Sequence, residues 1–289
     1  MAAGDRAPGR PSHSTSVPGR APTPDELEAL YRRHHRPENL HPDPLVFARG
    51  YADPLDGEVA GLVAAALAYG RVERIMEALE QVFAHLGAEP RRAVLSVGPG
   101  EWLERLGGFA YRFHKGLDVA VLLLLLRRTL ERWGSLAALF HARDPGGDIR
   151  EALAGLAGEI LAADPRPLLQ TRAVPRGHPV RHLVAGPGRG GAAKRLCLFL
   201  RWMVRRDALD PGYWHGRIDP ARLVVPLDTH VAQVGRDLGF TRRRSADWRT
   251  AREITEALRA YDPADPVRFD FSLFRFGMGR GGAPRGPGQ

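Results

Sequence analysis

An all-α fold is what the sequence predicts, and three observations carry it. Apolar residues recur at spacings of three and four along most of the chain. The single strand-like hint is Val224-Val225, too short to count. No internal repeat is present, so a solenoid is not expected. The periodic segments number roughly ten.

The elements follow in chain order. Residues 1–24 are rich in Pro, Gly, Ser, Ala and Arg without apolar periodicity, and read as a disordered tail. Asp25–Arg36 reads as a helix, with Thr23 as cap and Pro24 in its first turn. A short segment, Asp43–Tyr51, follows. Asp53–Tyr69 carries Leu55, Val59, Leu62, Val63, Ala66 and Leu67 on one stripe, and Val72–Leu86 resumes after Gly70. Leu117–Trp133 is apolar nearly all round at its start, as a central helix is. Asp148–Leu161 is amphipathic. Leu168–Gly191, broken by Pro and Gly, reads as loop. Ala192–Arg206 is a helix with Leu196, Phe199, Leu200, Met203 and Val204 on its stripe. Asp228 opens a helix through Leu238. Asp247–Tyr261 and Pro266–Gly277 complete a body over 25–278, and 279–289 reads as a second tail.

Composition narrows the function. The 289 residues suffice for a sizeable core. The longest apolar run, Val119–Leu126, is eight residues, whereas a spanning helix needs about 20. No membrane association is expected. The N-terminus has no apolar h-region, so no signal peptide is expected either. A lone cysteine, Cys197, allows no internal disulfide and no cysteine-held zinc or iron–sulfur site. That usage fits the cytoplasm.

The net charge is +9, and each tail carries +2 of it. The core's excess alone does not imply nucleic acid, but its placement is uneven. Residues 165–206 contain no acid over 42 positions, where the chain's average predicts about five. The window holds Arg166, Arg172, Arg176, Arg181, Arg189, Lys194, Arg195, Arg201, Arg205 and Arg206, and Arg242-Arg243-Arg244 forms a second run. A polyanion-facing surface is expected there. Only Lys115 and Lys194 among the 42 cations are lysines. Arginine cannot replace lysine where the amine must lose its proton and attack.

Three stretches carry candidate chemistry. Gly186-Pro-Gly-Arg-Gly-Gly-Ala-Ala-Lys194 runs a Gly-rich turn into a helix N-terminus, where backbone N–H groups and the helix dipole favour an anion. It also reads as an ordinary loop, and it is not a P-loop, lacking Lys-Ser/Thr after the second Gly. In Pro226-Leu-Asp228-Thr-His230-Val, Asp228 stands at a helix N-cap, and His230 is assigned no role. The aromatics of Phe269–Phe276 read chiefly as core.

These residues carry a resemblance. The order of Gly-rich turn, helix-opening Lys194 and Leu227-Asp-Thr-His-Val231 resembles the helix-hairpin-helix DNA glycosylases, which carry Gly-x-Gly-x-Lys and, downstream, Val-Asp-Thr-His. Gly190-Gly-Ala-Ala-Lys194 fits the first motif with Ala192 in place of its second Gly; Gly186-Pro-Gly188 is an alternative register. Asp53–Leu67 and Phe271–Gly277 look like the family's first and last core helices. The spacing of 34 between Lys194 and Asp228 is similar to that of the archaeal 8-oxoguanine branch, and the added segment holds Tyr213 and Trp214. The cluster cysteines of the endonuclease III branch are absent. Over about 25–278, Lys194-Arg-Leu…Phe199-Leu-Arg-Trp-Met-Val-Arg205 with Pro226-Leu-Asp-Thr-His is similar to a bacterial family known chiefly as a domain of unknown function.

The resemblance implies a helix-hairpin-helix glycosylase-like fold, two helical lobes around a cleft, with the hairpin at about 183–206. It implies base excision from damaged double-stranded DNA, with abasic-site lyase activity through a Schiff base. Lys194 and Asp228 are then the catalytic residues. Gly186, Gly188, Arg189, Gly190, Gly191 and Arg195 are the phosphate contacts, and Tyr69, Trp214 and Phe274 are base-pocket candidates. No cofactor, metal or iron–sulfur cluster is expected, and the setting is the cytoplasmic nucleoid. Two other readings stand beside it: a non-catalytic helix-hairpin-helix nucleic-acid-binding protein, and a helical interaction protein whose arginines reflect genome composition alone.

Overall fold

A computed structural model describes residues 20–188 and 191–281. The fold is helical, and the described residues form fourteen α-helices, three 3-10 turns and one two-stranded hairpin. In order these are α1 (Pro24–His34), α2 (Leu45–Ala48), α3 (Pro54–Leu67), α4 (Val72–Leu86), α5 (Pro90–Ser96), α6 (Pro99–Arg105), β1 (Ala110–Tyr111), β2 (His114–Lys115), α7 (Gly116–Trp133), α8 (Leu136–Arg143), α9 (Ile149–Ala162), α10 (Val180–Leu183), α11 (Lys194–Val204), α12 (Thr229–Asp237), α13 (Trp248–Arg259) and α14 (Asp270–Gly281).

Local chemistry sets the long helices where periodicity places them. Thr23 accepts from the Glu26 amide while Glu26 reaches back to the Thr23 amide, closing a capping box on α1. Asp53, Asp148, Asp228 and Asp247 each cap the helix that follows. The all-apolar start of α7 is buried on every side, from Val119 to Leu126. Helix α7 packs against α5, α6, α8, α9 and α10, and α3 packs against α2, α5 and α11. A second set joins α12 to α14 and α13, and α14 to α1. The β1–β2 hairpin pairs Ala110 with Lys115 and Tyr111 with His114.

The sequence reading departs from the fold in places. Helices α5, α6 and α8 are seven or eight residues long, too short for a repeat of 3.6 to register. The stretch read as loop, Leu168–Gly191, contains the four-residue α10. The two-residue strands of the β1–β2 hairpin are too short to show as an alternating pattern, whereas residues 223–227 form no strand among the described residues, in line with the reading. The tails read as 1–24 and 279–289 lie mostly outside the described residues, at 1–19 and 282–289, but they are corrected at their inner ends: α1 begins at Pro24, Arg20 pairs with Glu26, and α14 runs to Gly281.

The segment between α11 and α12 is tied to α3. Trp214 donates from Nε1 to Glu58 Oε2 at 3.0 Å. A Cβ at Gly57 would lie 2.2 Å from the Tyr213 ring, so only glycine lets that ring close on α3. Glu58 is itself buried and accepts from the amides of Leu136 and Ala137, satisfying the start of α8. Burial raises its pKa, and those three bonds pull it back.

Candidate active site

A cavity of about 1100 Å³ opens where the α3–α4 turn, the start of α11, the start of α12 and α14 converge. Lys194 is the first residue of α11, and the residue before it, Ala193, holds a left-handed backbone at φ 47°. A non-glycine residue there costs about 1–2 kcal/mol, which the surrounding packing must offset. Asp228 caps α12 and divides its carboxylate between two tasks. Oδ1 accepts from the Val231 amide at 2.8 Å, and Oδ2 lies 3.4 Å from Lys194 Nζ. Two residues 34 apart in sequence thus meet across one cavity.

Tyr69 and Phe274 also line this cavity, as does His230, whose ring packs edge-on to Phe274. Trp214 does not. It is 2% exposed and packs between Phe140 and Phe199, so its expected place in a base pocket is corrected to the core. An amphipathic aromatic flanked by Pro, Gly and Tyr reads alike in sequence whether it is buried or not.

The cationic window is corrected as well. Arg195 is 8% exposed, bonds to the carbonyls of His182 and Ala66 and lies over the Tyr69 ring. Its guanidinium is not open to a phosphate. Arg201 is buried between Asp210 and Asp270, and Arg205 between Asp207, Asp210 and Asp265. Arg166 pairs with Asp164, and Arg181 donates to the carbonyls of Val174 and Pro175. An acid-free window therefore does not make an acid-free environment, because its arginines fold back on acids outside it. Arg172, Arg176 and Arg206 are exposed.

The Gly-rich turn is partly engaged. Arg150 donates to the carbonyls of Pro187 and Gly188, Gly188 donates to the Gly186 carbonyl, and Gly191 bridges to Asp247. Gly186 backs onto α9, where a Cβ would lie 3.1 Å from Ala157. Arg189 and Gly190 lie outside the described residues.

The cavity is also lined by two buried carboxylates that sequence reasoning missed, Asp43 and Asp270, and by Arg201, which was read as facing a polyanion. Arg201 Nη1 donates to Asp270 Oδ2 at 2.7 Å, while Asp270 Oδ1 is buried without a hydrogen-bond partner. Burial pushes the Asp270 carboxyl up to about 6 against the pull of Arg201. Burial also raises Asp43, against its bond from the Leu45 amide and the nearby Arg201, Arg275 and Lys194 cations. Asp270 stood in plain sight inside the aromatic run, but nothing in its spacing marked it.

Among the described residues, no group of three or more His, Cys, Asp or Glu is placed to hold a metal ion, and no helix is long and apolar enough to cross a membrane. No curated protein or solved structure matches the chain. A family model described as a protein of unknown function, DUF2400, matches residues 43–279, and the chain belongs to that family.

Proposed function

We propose that the chain is a DNA base-excision enzyme, a glycosylase with abasic-site lyase activity. The observation that carries this reading is the approach of Lys194 Nζ to Asp228 Oδ2, 3.4 Å apart at the edge of a cavity large enough for a nucleoside. The short helix α10, the Gly-rich turn and α11 follow one another as a helix-hairpin-helix unit does, which supports the same reading. The cavity then takes a base flipped from the duplex, a step that unstacks and unpairs it.

In this reaction Lys194 Nζ gives up a proton, and the freed amine forms a bond to C1′ as the C1′–N bond to the base breaks. The base leaves with the electron pair and takes up a proton. Asp228 Oδ2, held on a capped helix, stabilises the cationic sugar as charge develops and accepts a proton from the amine. The C1′–O4′ bond then opens, O4′ takes a proton, and a C1′ imine to Lys194 remains. Loss of the C2′ proton expels the 3′ phosphate and nicks the strand.

The phosphate contacts are drawn from a different surface than the acid-free window. Arg242, Arg244 and Arg249 have no ion-pair partner among the described residues. Arg242 and Arg249 line an open groove that also includes Arg150, which holds the Gly-rich turn. The same groove would serve a non-catalytic nucleic-acid-binding protein, so it bears on binding and not on chemistry.

Borohydride trapping tests the chemistry. Wild-type protein incubated with abasic duplex DNA is expected to give a covalent adduct, since borohydride reduces the imine. Lys194→Arg keeps the charge and loses the adduct, while Lys115→Arg keeps it. Trapping by Lys194→Arg at the wild-type level overturns the Schiff base, as does a wild type that never traps across a panel of lesions. Base release without trapping assigns the reaction to water activated by Asp228.

A further inference from the structure

We infer that the pocket between the start of α4 and the β1–β2 hairpin is a phosphate site, held by Arg71 and Arg112 and sharing a wall with the cavity. This rests on the reading of the cavity as a nucleotide site and places the phosphate beside that nucleotide.

The argument starts from unpaired charge. The pocket has a volume of about 300 Å³ and is lined by three arginines, Arg71, Arg74 and Arg112, and by one acid, Glu77. Glu77 is taken by Arg74, at 2.6 Å. Arg71 and Arg112 have no ion pair and no side-chain hydrogen bond among the described residues. Like charges gathered in one concavity repel, and an anion between them removes that repulsion. The two guanidinium forks come from different elements, so a tetrahedral phosphate, with oxygens in several directions, meets both.

The fold holds Arg112 in place against its local preference. It follows Tyr111 in the two-residue turn of the hairpin, where Tyr111 pairs with His114. Its backbone is left-handed at φ 55°, a conformation that glycine or asparagine adopts readily and arginine does not. The side chain reaches back over the α3–α4 turn. Its guanidinium carbon lies 5.9 Å from the centre of the Tyr69 ring. A Cβ at Gly70 would stand 3.2 Å from Arg112 Nη1, and Gly70 itself has φ 102°. Glycine there lets the guanidinium settle against the residue that precedes Arg71. Gly70 and Arg71 also line the cavity that holds Lys194 and Asp228. The α3–α4 turn is thus a wall common to the cavity and the arginine pocket.

Two sources supply a phosphate here: a phosphodiester of the intact strand whose nucleotide enters the cavity, or the 5′-terminal phosphate of a nicked strand. The test uses the full chain with duplexes carrying a tetrahydrofuran abasic analogue, which forms no imine. Each phosphate flanking the analogue is replaced in turn by a neutral methylphosphonate, and affinity is read by fluorescence anisotropy. At one position the replacement is expected to weaken wild-type binding about tenfold. The same replacement should cost nothing further in Arg71→Gln combined with Arg112→Gln, as a direct contact requires. Both side chains are exposed, so the variant is expected to fold. Coupling at an internal position assigns the intact strand. Coupling seen only on removing the 5′-phosphate of a nicked duplex assigns the strand end. If no phosphate is coupled in either duplex, or the loss persists in the double variant, the inference is overturned. The chemistry fails separately. If Lys194 traps abasic DNA but no phosphate is coupled, the lyase stands without this site. If the wild type binds neither duplex, inorganic phosphate followed by phosphorus NMR decides. Binding by the wild type and not by the double variant keeps the phosphate site without DNA, and equal or absent binding overturns it.

Discussion

Arg195 Nη1 lies 3.0 Å from His182 Nδ1, while its other terminal nitrogen bonds to the His182 carbonyl. One guanidinium thus clamps α10 to α11 across the Gly-rich turn, and its bond to the Ala66 carbonyl fastens both to α3. Lys194, its neighbour, points into the cavity. Adjacent cations have opposite duties, one holding the turn and the other available for chemistry.

The clamp predicts a stability defect. Arg195→Ala strips donors from two buried carbonyls and a ring nitrogen, and is expected to cost about 2–4 kcal/mol. Urea denaturation measures it. The salt dependence of DNA binding should stay at the wild-type slope, whereas Arg242→Ala with Arg249→Ala should flatten it. A flattened slope in Arg195→Ala at wild-type stability would place that arginine on DNA instead.

The same contact predicts a pH dependence. Burial, with the charges of Arg195, His114 and Arg112, lowers the His182 pKa from 6.5 to about 4. Burial lowers His114 as well. A histidine held neutral in the fold contributes stability above its unfolded pKa and loses that contribution as pH falls through the folded one. Thermal melting should therefore weaken between pH 6.5 and 4. His182→Asn keeps an acceptor for Arg195 and does not titrate, so its melting temperature should fall less over that range. Parallel curves would remove His182 as the source.

Legibility in the sequence followed the range of the signal. Long helices α3, α4, α7, α9, α11, α12 and α13 were readable because a buried stripe repeats over several turns. Lys194 and Asp228 were readable as candidates because each sits at a helix start, with a motif around it. The arginine window misled because charge counted along the chain says nothing of partners elsewhere; Asp210, Asp265 and Asp270 all lie outside it. Asp43 and Asp270 were invisible for the same reason, since only tertiary packing buries a carboxylate against a cavity.

Trp214 and Phe274 make a contrasting pair. Trp214→Phe removes a buried donor from Glu58 and should lower stability by about 1–3 kcal/mol, with nucleoside binding unchanged. Phe274→Ala removes a ring face from the cavity and should weaken nucleoside binding with a smaller loss of stability, because it is only partly buried. Chemical denaturation and NMR titration read the two effects independently. Weakened binding in Trp214→Phe would return that residue to the pocket.

Asp228 separates a cap from a catalyst. Its Oδ1 bond to the Val231 amide is worth about 1 kcal/mol, and asparagine or serine can replace it. Its ion pair with Lys194 is partly open to solvent, so losing the charge should change stability little. Asp228→Asn and Asp228→Ser should melt near wild type, and Asp228→Ala should lose about 1 kcal/mol. Base release should fall by roughly a hundredfold or more in all three, since none keeps a carboxylate to stabilise the sugar cation. DNA affinity should survive in each. If Asp228→Asn releases base at the wild-type rate, the residue only starts a helix, and Lys194 acts without it. If all three variants lose DNA binding together with activity, the carboxylate positions the turn against the duplex, and its role is structural.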